Sequence, residues 1–371
     1  MDRITQEAFF DILQSSIWKK LPSNLYTASD VSMEELITMM RSHAILGITA
    51  DTIASHYQLT DNQSQTIYRY VANLLQNHWD MNETISDIFS LLETNGIHAV
   101  LLKGQGLARL YPTANTRSIG DIDIYVGKTN YVRAQTIIDE YCHMPQRNIE
   151  TDPSNIHGYA EKGNIKIETH YICADTAIPA IKEEYNTLMD SLLTTNNETV
   201  NIQGYKVKTP SPEVNMLYVF EHLLKHLRYE GAGFRQFIDW LLTIRHWTDC
   251  GAHNKEWLRE TLIHFHIMDA WQVLGGILVF QLGLPMSSFP FWNESKARHS
   301  QGRNLQYIID SGNLGHETAY SKGYYFMPHS IKRKVRALCY YARYITMFEY
   351  FLFPYDTIPK YIRRTIGKPQ Q

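Results

Sequence analysis

The sequence predicts an α+β protein in which a small mixed sheet with helices is flanked by N- and C-terminal helical regions. Three patterns predict this class. Apolar residues recur at helical spacing before Gly96, short apolar runs alternate with turn residues in the middle of the chain, and helical spacing resumes after Pro210. We therefore divide the chain into an N-terminal helical region (1–95), an α/β core (96–210) and a C-terminal helical region (211–371).

The composition excludes several classes of protein. With 371 residues, 44% of them hydrophobic and 20% charged, the chain can bury a sizeable core. Its net charge of −3 gives no general positive field, which argues against strong nonspecific binding of nucleic acid. The four cysteines lack any paired spacing, so neither a zinc ribbon nor a disulfide framework is expected. No basic signal segment and no apolar run of membrane-spanning length occurs, and we expect a cytoplasmic protein.

The N-terminal region carries helix signals and no catalytic pattern. Ser32 with Glu35, and Thr60 with Gln63, have the spacing of a capping box at a helix start. The second pair opens a long helix, and Gly96 is placed to end it because glycine readily adopts the positive φ of a helix C-terminal cap. We expect this region to brace the sheet.

A strand, a glycine turn and a helix start follow one another at the beginning of the core. The apolar run 100–102 ends at the Lys-Gly-Gln-Gly sequence of residues 103–106, after which apolar spacing indicates a short helix. Glycine lets the backbone approach a ligand closely, and the free N–H groups of a helix start attract phosphate. Because Lys103 adds a positive charge, this turn is a candidate phosphate site.

The acidic strand Gly120 to Ile124 is the second candidate. Side chains alternate along a strand, so Asp121 and Asp123 share one face while Ile122 lies on the other. Two crowded carboxylates repel each other and favour a cation between them; Mg²⁺ takes such oxygen ligands together with substrate phosphates. The alternative is an edge strand with charges on its solvated face. The glycine turn before it favours the metal site.

These motifs resemble a known family. The order of strand, Lys-Gly turn, helix and the strand Arg117-x-x-Gly-Asp-Ile-Asp-Ile is similar to the uncharacterised nucleotidyltransferase family, a branch of the polymerase-beta-like nucleotidyltransferase superfamily. The resemblance implies that Gly104 binds a nucleoside triphosphate and that Asp121 and Asp123 hold Mg²⁺ or Mn²⁺. The superfamily usually has Gly-Gly or Gly-Ser in this turn. Here Gln105 follows the glycine, so the phosphate contact of a serine hydroxyl is missing.

A hairpin after the acidic strand supplies the third acid. Segments 157–161 and 165–171 alternate and are joined by a glycine turn. The resemblance implies one further metal-binding acid on a neighbouring strand, and Glu168 fits that position. His170 lies on the same face; it either contacts phosphate or accepts a proton, or it only orients Glu168.

The remaining patterns place polar residues near this core. A strand pair, 200–202 with 206–208, is predicted to close the sheet. On the helix that follows, His222 and His226 are one turn apart; without a third zinc ligand in the motif, we interpret them as cleft residues. A basic aromatic segment from Lys332 onward either contacts a membrane or nucleic acid, or forms an ordinary amphipathic helix.

Two arginines have alternative roles. Arg235 lies either near the nucleotide phosphates or in a buried pair with Asp239, four residues along the same helical face. Arg117 either faces the phosphates or anchors the loop before the acidic strand. If either arginine lies near a triphosphate, its planar guanidinium offers several N–H donors to the phosphate oxygens.

The sequence therefore predicts a metal-dependent nucleotidyltransferase that moves a nucleoside monophosphate from a nucleoside triphosphate to an acceptor hydroxyl and releases pyrophosphate. A small-molecule or protein acceptor is favoured over nucleic acid. The predicted catalytic and metal-binding residues are Asp121, Asp123 and Glu168. The predicted nucleotide-binding residues are Lys103, Gly104, Gln105, Arg117, Gly120, His170 and Arg235. Two alternatives stay open, a noncatalytic nucleotide-binding regulatory module and a metal-dependent hydrolase that uses His222, His226 and Asp239.

Overall fold

A computed structural model of the chain describes residues 3–24, 26–27, 30–151, 156–174, 179–229, 231–251 and 254–313. The first helices are α1 (Arg3–Trp18), α2 (Met33–Ser42), α3 (Leu46–His56), α4 (Asp61–Thr94), α5 (Gly104–Ala108) and α6 (Gly127–Tyr141). They are followed by α7 (Pro179–Thr195), α8 (Pro212–Tyr229), α9 (Phe234–Asp249), α10 (Lys255–His264), α11 (Met268–Phe280), α12 (Glu294–Ala297) and α13 (Arg303–Ser311). The strands are β1 (Val100–Leu102), β2 (Ile122–Tyr125), β3 (His157–Lys162), β4 (Ile165–His170), β5 (Asn197–Ile202) and β6 (Tyr205–Pro210).

The central sheet is mixed and has the order β1-β2-β4-β3. Strand β2 runs antiparallel to β1 and parallel to β4, and β3 completes an antiparallel hairpin with β4. Ile122, Ile124 and Ile167 pack into a hydrophobic cluster with α4 and α6 on one face. The predicted α+β class and the mixed sheet are confirmed, and the acidic strand lies inside the sheet.

The predicted caps of the N-terminal helices are confirmed. Ser32 accepts a hydrogen bond from the Glu35 N–H at the start of α2, and Thr60 forms a complete capping box with Gln63 at the start of α4. Helix α4 is 34 residues long, and Gly96 follows it with φ +69°, a conformation that glycine adopts at little cost. These local signals therefore set the beginning and end of the longest described helix.

The prediction that the later strand pair closes the central sheet is wrong. Strands β5 and β6 pair with each other and form a separate two-stranded sheet. Val200, Ile202 and Val207 pack into the same hydrophobic cluster as the central sheet. The hairpin is therefore attached to the central sheet by its apolar side chains. The hydrogen bonds between β5 and β6 already satisfy the backbone groups that face each other within the hairpin.

One large hydrophobic cluster connects the helices to the other face of the sheet. It includes Phe9 of α1, Leu36 of α2, Leu102 of β1, Phe220 of α8 and Trp240 of α9. Residues from all three predicted regions thus contribute to a shared core, and the division of the chain at residues 95 and 210 stays a prediction. This packing fixes α8 and α9 beside the part of the sheet that carries the acidic residues.

Three further expectations concern the chain as a whole. Cys142, Cys173 and Cys250 are free thiols. Among the described residues no single helix is long and apolar enough to cross a membrane; α10 and α11 meet that test only jointly, by length and composition, with a bend of 116° between them. The basic aromatic segment from Lys332 onward lies outside the described residues.

His43 makes the stability of this core dependent on pH. Its ring is buried against Phe9 and Phe234, and its Nε2 lies 3.1 Å from the carbonyl oxygen of Ile309. Burial lowers the pKa of His43 from 6.5 to about 4. The unfolded chain therefore binds a proton that the folded protein excludes, and the free energy of unfolding falls as the pH drops from 6.5 towards 4.

We expect His43 to contribute a loss of about 2 kcal/mol in the free energy of unfolding between pH 6.5 and pH 5. Urea unfolding at these two pH values measures this loss in the free energy of unfolding. His43→Gln keeps a donor for Ile309 and removes the titration, so the variant should lose less stability than the wild type by that amount. Equal losses in both proteins would show that His43 does not carry this pH dependence.

Candidate active site

Two parallel strands bring the central acids together. Asp123 on β2 is the register partner of Glu168 on β4, so the two carboxylates project from the same level of the sheet. One ligand atom each from Asp123, Glu168 and His170 lie within 4.8 Å of one another. Asp123 is only 1% exposed and β2 is an interior strand, so the alternative of a solvated edge strand is wrong.

Asp123 is held by two cationic or donor groups. The Lys103 Nζ lies 2.9 Å and the His170 Nε2 lies 3.0 Å from the same atom, Asp123 Oδ1. Burial by itself would raise the pKa of Asp123, but the Lys103 ammonium and the hydrogen bond to His170 outweigh it and hold this pKa below its usual value. Asp123 is therefore an anion at neutral pH.

Glu168 is contacted by two histidines. His170 Nε2 lies 3.4 Å and His157 Nε2 lies 3.5 Å from Glu168 Oε2. Burial would raise the pKa of Glu168, but the interaction with His170 lowers it overall. Burial would likewise lower the pKa of His170, and its bonds to Asp123 and Glu168 raise it instead. The geometry favours the orienting role for His170, because one imidazole nitrogen bridges both acids.

The donors fit a divalent metal. Carboxylate oxygens are the ligands that Mg²⁺ prefers, and Mn²⁺ accepts both carboxylate and imidazole. Asp123 and Glu168 supply such oxygens, and His170 lies beside them with its Nε2 in contact with both acids. A pair of acids at adjacent register positions can hold such an ion without movement of the backbone.

Asp121 lies just before β2 and lines a cleft together with Asp123 and Gly104. The cleft is narrow and partly open to solvent. Asp121 is half-buried, and it is not a member of the group of ligand atoms formed by Asp123, Glu168 and His170. The structure thus places the predicted acidic pair on one cleft, with Asp123 deep and Asp121 nearer the opening.

The Lys-Gly turn forms one wall of this cleft. Lys103 and Gly104 both have positive φ, +50° and +44°, and Lys103 precedes the short helix α5. A Cβ atom at Gly104 would lie 3.5 Å from the Asp121 carbonyl oxygen, so the turn and the acidic strand pack closely. Glycine is favoured at this position because other residues rarely adopt such a φ.

Gln105 is used to brace the turn. Its Nε2 lies 2.9 Å from His78 Nδ1 and donates to Asn82 Oδ1 at 2.7 Å, so the side chain points towards α4. His78 Nε2 in turn lies 2.8 Å from the carbonyl oxygen of Arg117. The N-terminal helices therefore position both segments of the site. This agrees with the bracing role predicted for them, and Gln105 itself is not among the residues that line the cleft.

Arg117 anchors the loop before the acidic strand. Its Nε and Nη2 donate to the two carboxylate oxygens of Asp239, each at 2.8 Å, and Asp239 also accepts from the Tyr111 hydroxyl. Burial alone would lower the pKa of Arg117, but the Asp239 carboxylate raises it. Both side chains are almost fully buried, 4% and 6% exposed. The geometry favours the anchoring role of Arg117 over a direct contact with phosphates.

Arg235, unlike Arg117, has a donor in the cleft that is available to a phosphate. Of the two alternatives for Arg235, the structure does not form the buried pair with Asp239, whose carboxylate oxygens accept from Arg117 and Tyr111. Arg235 instead lines the cleft, where its Nη1 donates to the Ser118 carbonyl oxygen at 3.2 Å and lies near Gly120. Its buried Nε has no hydrogen-bond partner. Burial and the neighbouring Arg117 lower the pKa of Arg235, so an anion at this place would relieve both effects.

His222 and His226 lie on the α8 side of the cleft. Their Nε2 atoms are 2.8 Å apart, and His222 Nε2 is 3.4 Å from Lys103 Nζ. Burial and the nearby Lys103 hold the pKa of His222 well below its usual value, so its ring is neutral. Asp239 is bound to Arg117 and Tyr111, so the structure does not assemble the hydrolase site of His222, His226 and Asp239.

Two contacts were missed from the sequence. The His157 ring packs against the His170 ring in a tilted arrangement with centroids 4.9 Å apart, because β3 and β4 pair these two residues directly. A two-residue turn at Gly163 sets that register, so counting back from the turn would have identified His157. The contact of Gln105 with His78 has no such signal, since it depends on how α4 crosses the sheet.

The chain is a nucleotidyltransferase by its match to a family of that class. More narrowly, the chain belongs to the family described as "Uncharacterised nucleotidyltransferase", whose model matches residues 29–263, and the resemblance seen in the sequence is confirmed. A solved structure of an antigenic nucleotidyltransferase-like protein from Paracoccidioides brasiliensis is similar at 17% identity, covering 45% of this chain and 77% of that chain with a TM-score of 0.31. Similarity this low supports no conclusion about the site. No curated protein matches the chain.

Proposed function

We propose that this nucleotidyltransferase depends on Mg²⁺ or Mn²⁺ and transfers a nucleoside monophosphate from a nucleoside triphosphate to an acceptor hydroxyl, releasing pyrophosphate. The observation that carries the proposal is the group of ligand atoms from Asp123, Glu168 and His170 within 4.8 Å of one another. Asp123 of this group lines a cleft together with Lys103 and Gly104 of the Lys-Gly turn. Acidic metal ligands beside a basic turn suit the phosphates of a metal–nucleotide complex.

Asp123 and Glu168 are the proposed metal ligands, and Asp121 completes the set from the cleft opening. When bound, the metal lowers the pKa of the attacking hydroxyl and neutralises charge on the leaving pyrophosphate. His170 holds Asp123 and Glu168 in their orientations through Nε2. The pKa values of Asp123 and Glu168 are both held below their usual values, which favours the anionic form that a metal ligand requires.

The triphosphate would lie along the basic side of the cleft. Lys103, Gly104 and Gly120 line it, and Arg235 offers a buried N–H without a partner. Such an N–H gains most from a phosphate oxygen, because a buried donor without an acceptor is destabilising. Arg117 supports this wall indirectly by fixing the loop that carries Gly120.

The acceptor is proposed to be a small molecule or a protein side chain. The net charge of −3 gives no extended basic field of the kind that binds the phosphates of nucleic acid. Lys103, Arg117 and Arg235 line one cleft, and Arg117 is bound to Asp239. Lys103 and Arg235 remain for phosphate contacts, which suits a single triphosphate better than a long nucleic-acid backbone.

A screen of the four ribonucleoside triphosphates with Mg²⁺ or Mn²⁺ tests this function. Purified protein should release pyrophosphate with at least one triphosphate, and a nucleotide labelled at the α-phosphate should label the acceptor or the protein itself. Release should stop when the metal is chelated and resume when it is restored.

Comparing α- and γ-phosphate labels shows which group of the triphosphate is transferred. Transfer of the α-labelled but not the γ-labelled group identifies nucleotidyl transfer. Binding of a triphosphate without release of pyrophosphate, with every candidate acceptor class supplied, would instead identify a noncatalytic nucleotide-binding module.

A further inference from the structure

Lys103 is the counter-ion of the deepest acid in the site. Its ammonium lies 2.9 Å from Asp123 Oδ1, and the two side chains are 11% and 1% exposed. A carboxylate buried this deeply is strongly destabilising unless a cation or several donors compensate it. The ion pair therefore supplies the positive charge that the position of Asp123 requires.

The same ion pair competes with a metal for Asp123. Burial alone would lower the pKa of Lys103, but Asp123, Asp121 and Glu168 raise it, so the ammonium stays protonated. A divalent cation bound to Asp123 would lie beside this ammonium and be repelled by it. A metal can thus bind Asp123 favourably only when the Lys103 ammonium has another anionic partner.

The cleft offers Lys103 no such anion among its described residues apart from the acids themselves. Away from Asp123, Lys103 contacts His222, whose Nε2 is 3.4 Å from Lys103 Nζ and whose ring is neutral. Arg235 on the facing wall adds a second positive charge, and Asp239 is already bound by Arg117. When the acids of the site hold a metal, the anionic partner for a displaced Lys103 therefore comes from the ligand.

We propose that Lys103 changes partner when substrate binds: its ammonium leaves Asp123 and binds the triphosphate, and the metal takes the place of the ammonium beside Asp123. The inference rests on the proposed function and deepens it. Metal and triphosphate then bind together far more tightly than either binds alone. By thermodynamic linkage the two effects are equal: the triphosphate strengthens metal binding by the factor by which the metal strengthens triphosphate binding.

Binding of Mn²⁺ alone, followed by electron paramagnetic resonance, tests the exchange. Metal-stripped wild-type protein should bind Mn²⁺ weakly, and Lys103→Met should bind it about tenfold more tightly or better, because the competing ammonium is gone. Lys225→Met is the matched control: Lys225 is half-buried in the same neighbourhood and acts electrostatically on His157 and His222, but it does not contact Asp123. Its effect on Mn²⁺ affinity should be clearly smaller.

Inorganic triphosphate tests the second half of the exchange without assuming a base. Calorimetry on the wild type should show much tighter binding of inorganic triphosphate with Mg²⁺ than with a chelator. Lys103→Met should lose most of this enhancement. Lys103→Arg, which keeps the positive charge, should retain weak binding of Mn²⁺ alone, and it serves as the second variant if Lys103→Met is poorly folded.

Equal Mn²⁺ affinities in the wild type, Lys103→Met and Lys225→Met would overturn the exchange. If the wild type nonetheless releases pyrophosphate, the proposed function stands and only the exchange is lost. Absence of pyrophosphate release with every triphosphate would overturn the proposed function itself. Tighter Mn²⁺ binding by Lys103→Met than by Lys225→Met, together with a reduced Mg²⁺ enhancement, supports the exchange.

Discussion

Asp123→Asn should reduce the rate of pyrophosphate release by about a thousandfold or more. The amide removes an anionic metal ligand from the centre of the site, and it leaves Lys103 and His170 with a neutral partner in place of the carboxylate that both now contact. The side chain keeps its size, so packing against the sheet should be preserved. Pyrophosphate release at saturating triphosphate and Mg²⁺ measures the loss.

Asp139→Asn is the matched control for Asp123→Asn. Asp139 is also buried and is bound by an arginine, Arg147, but it lies on α6 and does not line the cleft. This variant should lose stability and keep most of its activity. Cooperative urea unfolding of Asp123→Asn would show that its fold is intact, and activity within tenfold of the wild type would rule out Asp123 as a metal ligand.

Arg117→Met should lower the free energy of unfolding by about 3–5 kcal/mol. The change leaves Asp239 as a buried carboxylate whose remaining described donor is the Tyr111 hydroxyl. Desolvated charge without a partner is among the most destabilising effects of a single substitution. Urea unfolding at pH 7 measures the loss, and triphosphate affinity should fall with it because the loop before the acidic strand loses its anchor.

A double substitution separates the buried charge from the lost packing. Arg117→Met combined with Asp239→Leu removes both ends of the pair, so the second change should recover a large part of the stability lost in the first. Arg147→Met provides a comparison, since it breaks a partly exposed pair with Asp139. A loss below about 1 kcal/mol for Arg117→Met would mean that Asp239 is solvated in solution.

Local patterns predicted the parts of the site that depend on strand geometry. Alternation along a strand placed Ile122 in the core and Asp123 on the opposite face, and the same rule placed Glu168 and His170 together on β4. The helix caps at Ser32 and Thr60 were also local, because each depends on a residue three positions along. Periodicity and capping act over a few residues, so one sequence is enough to reveal them.

The partners of charged side chains could not be predicted in this way. Arg117 and Asp239 are 122 positions apart, and they meet only because α9 packs beside the loop that precedes β2. Spacing instead suggested Arg235 for Asp239, since the two share a helical face, although the cleft directs Arg235 elsewhere. Lys103 was expected at a phosphate and lies on Asp123. Such choices follow from how the helices cross the sheet, which a single sequence does not encode locally.

The register between β2 and β4 also limits how the length of this chain can change. Asp123 and Glu168 meet because the hairpin turn at Gly163 and the parallel pairing hold both strands at one offset. One residue inserted between Gly163 and Glu168 would turn Glu168 into the apolar layer and bring Ile167 to the cleft. Loops that do not line the cleft can lengthen with less effect on the chemistry. Insertions, natural or engineered, should therefore be tolerated outside this hairpin. They should not be tolerated within its second strand, β4.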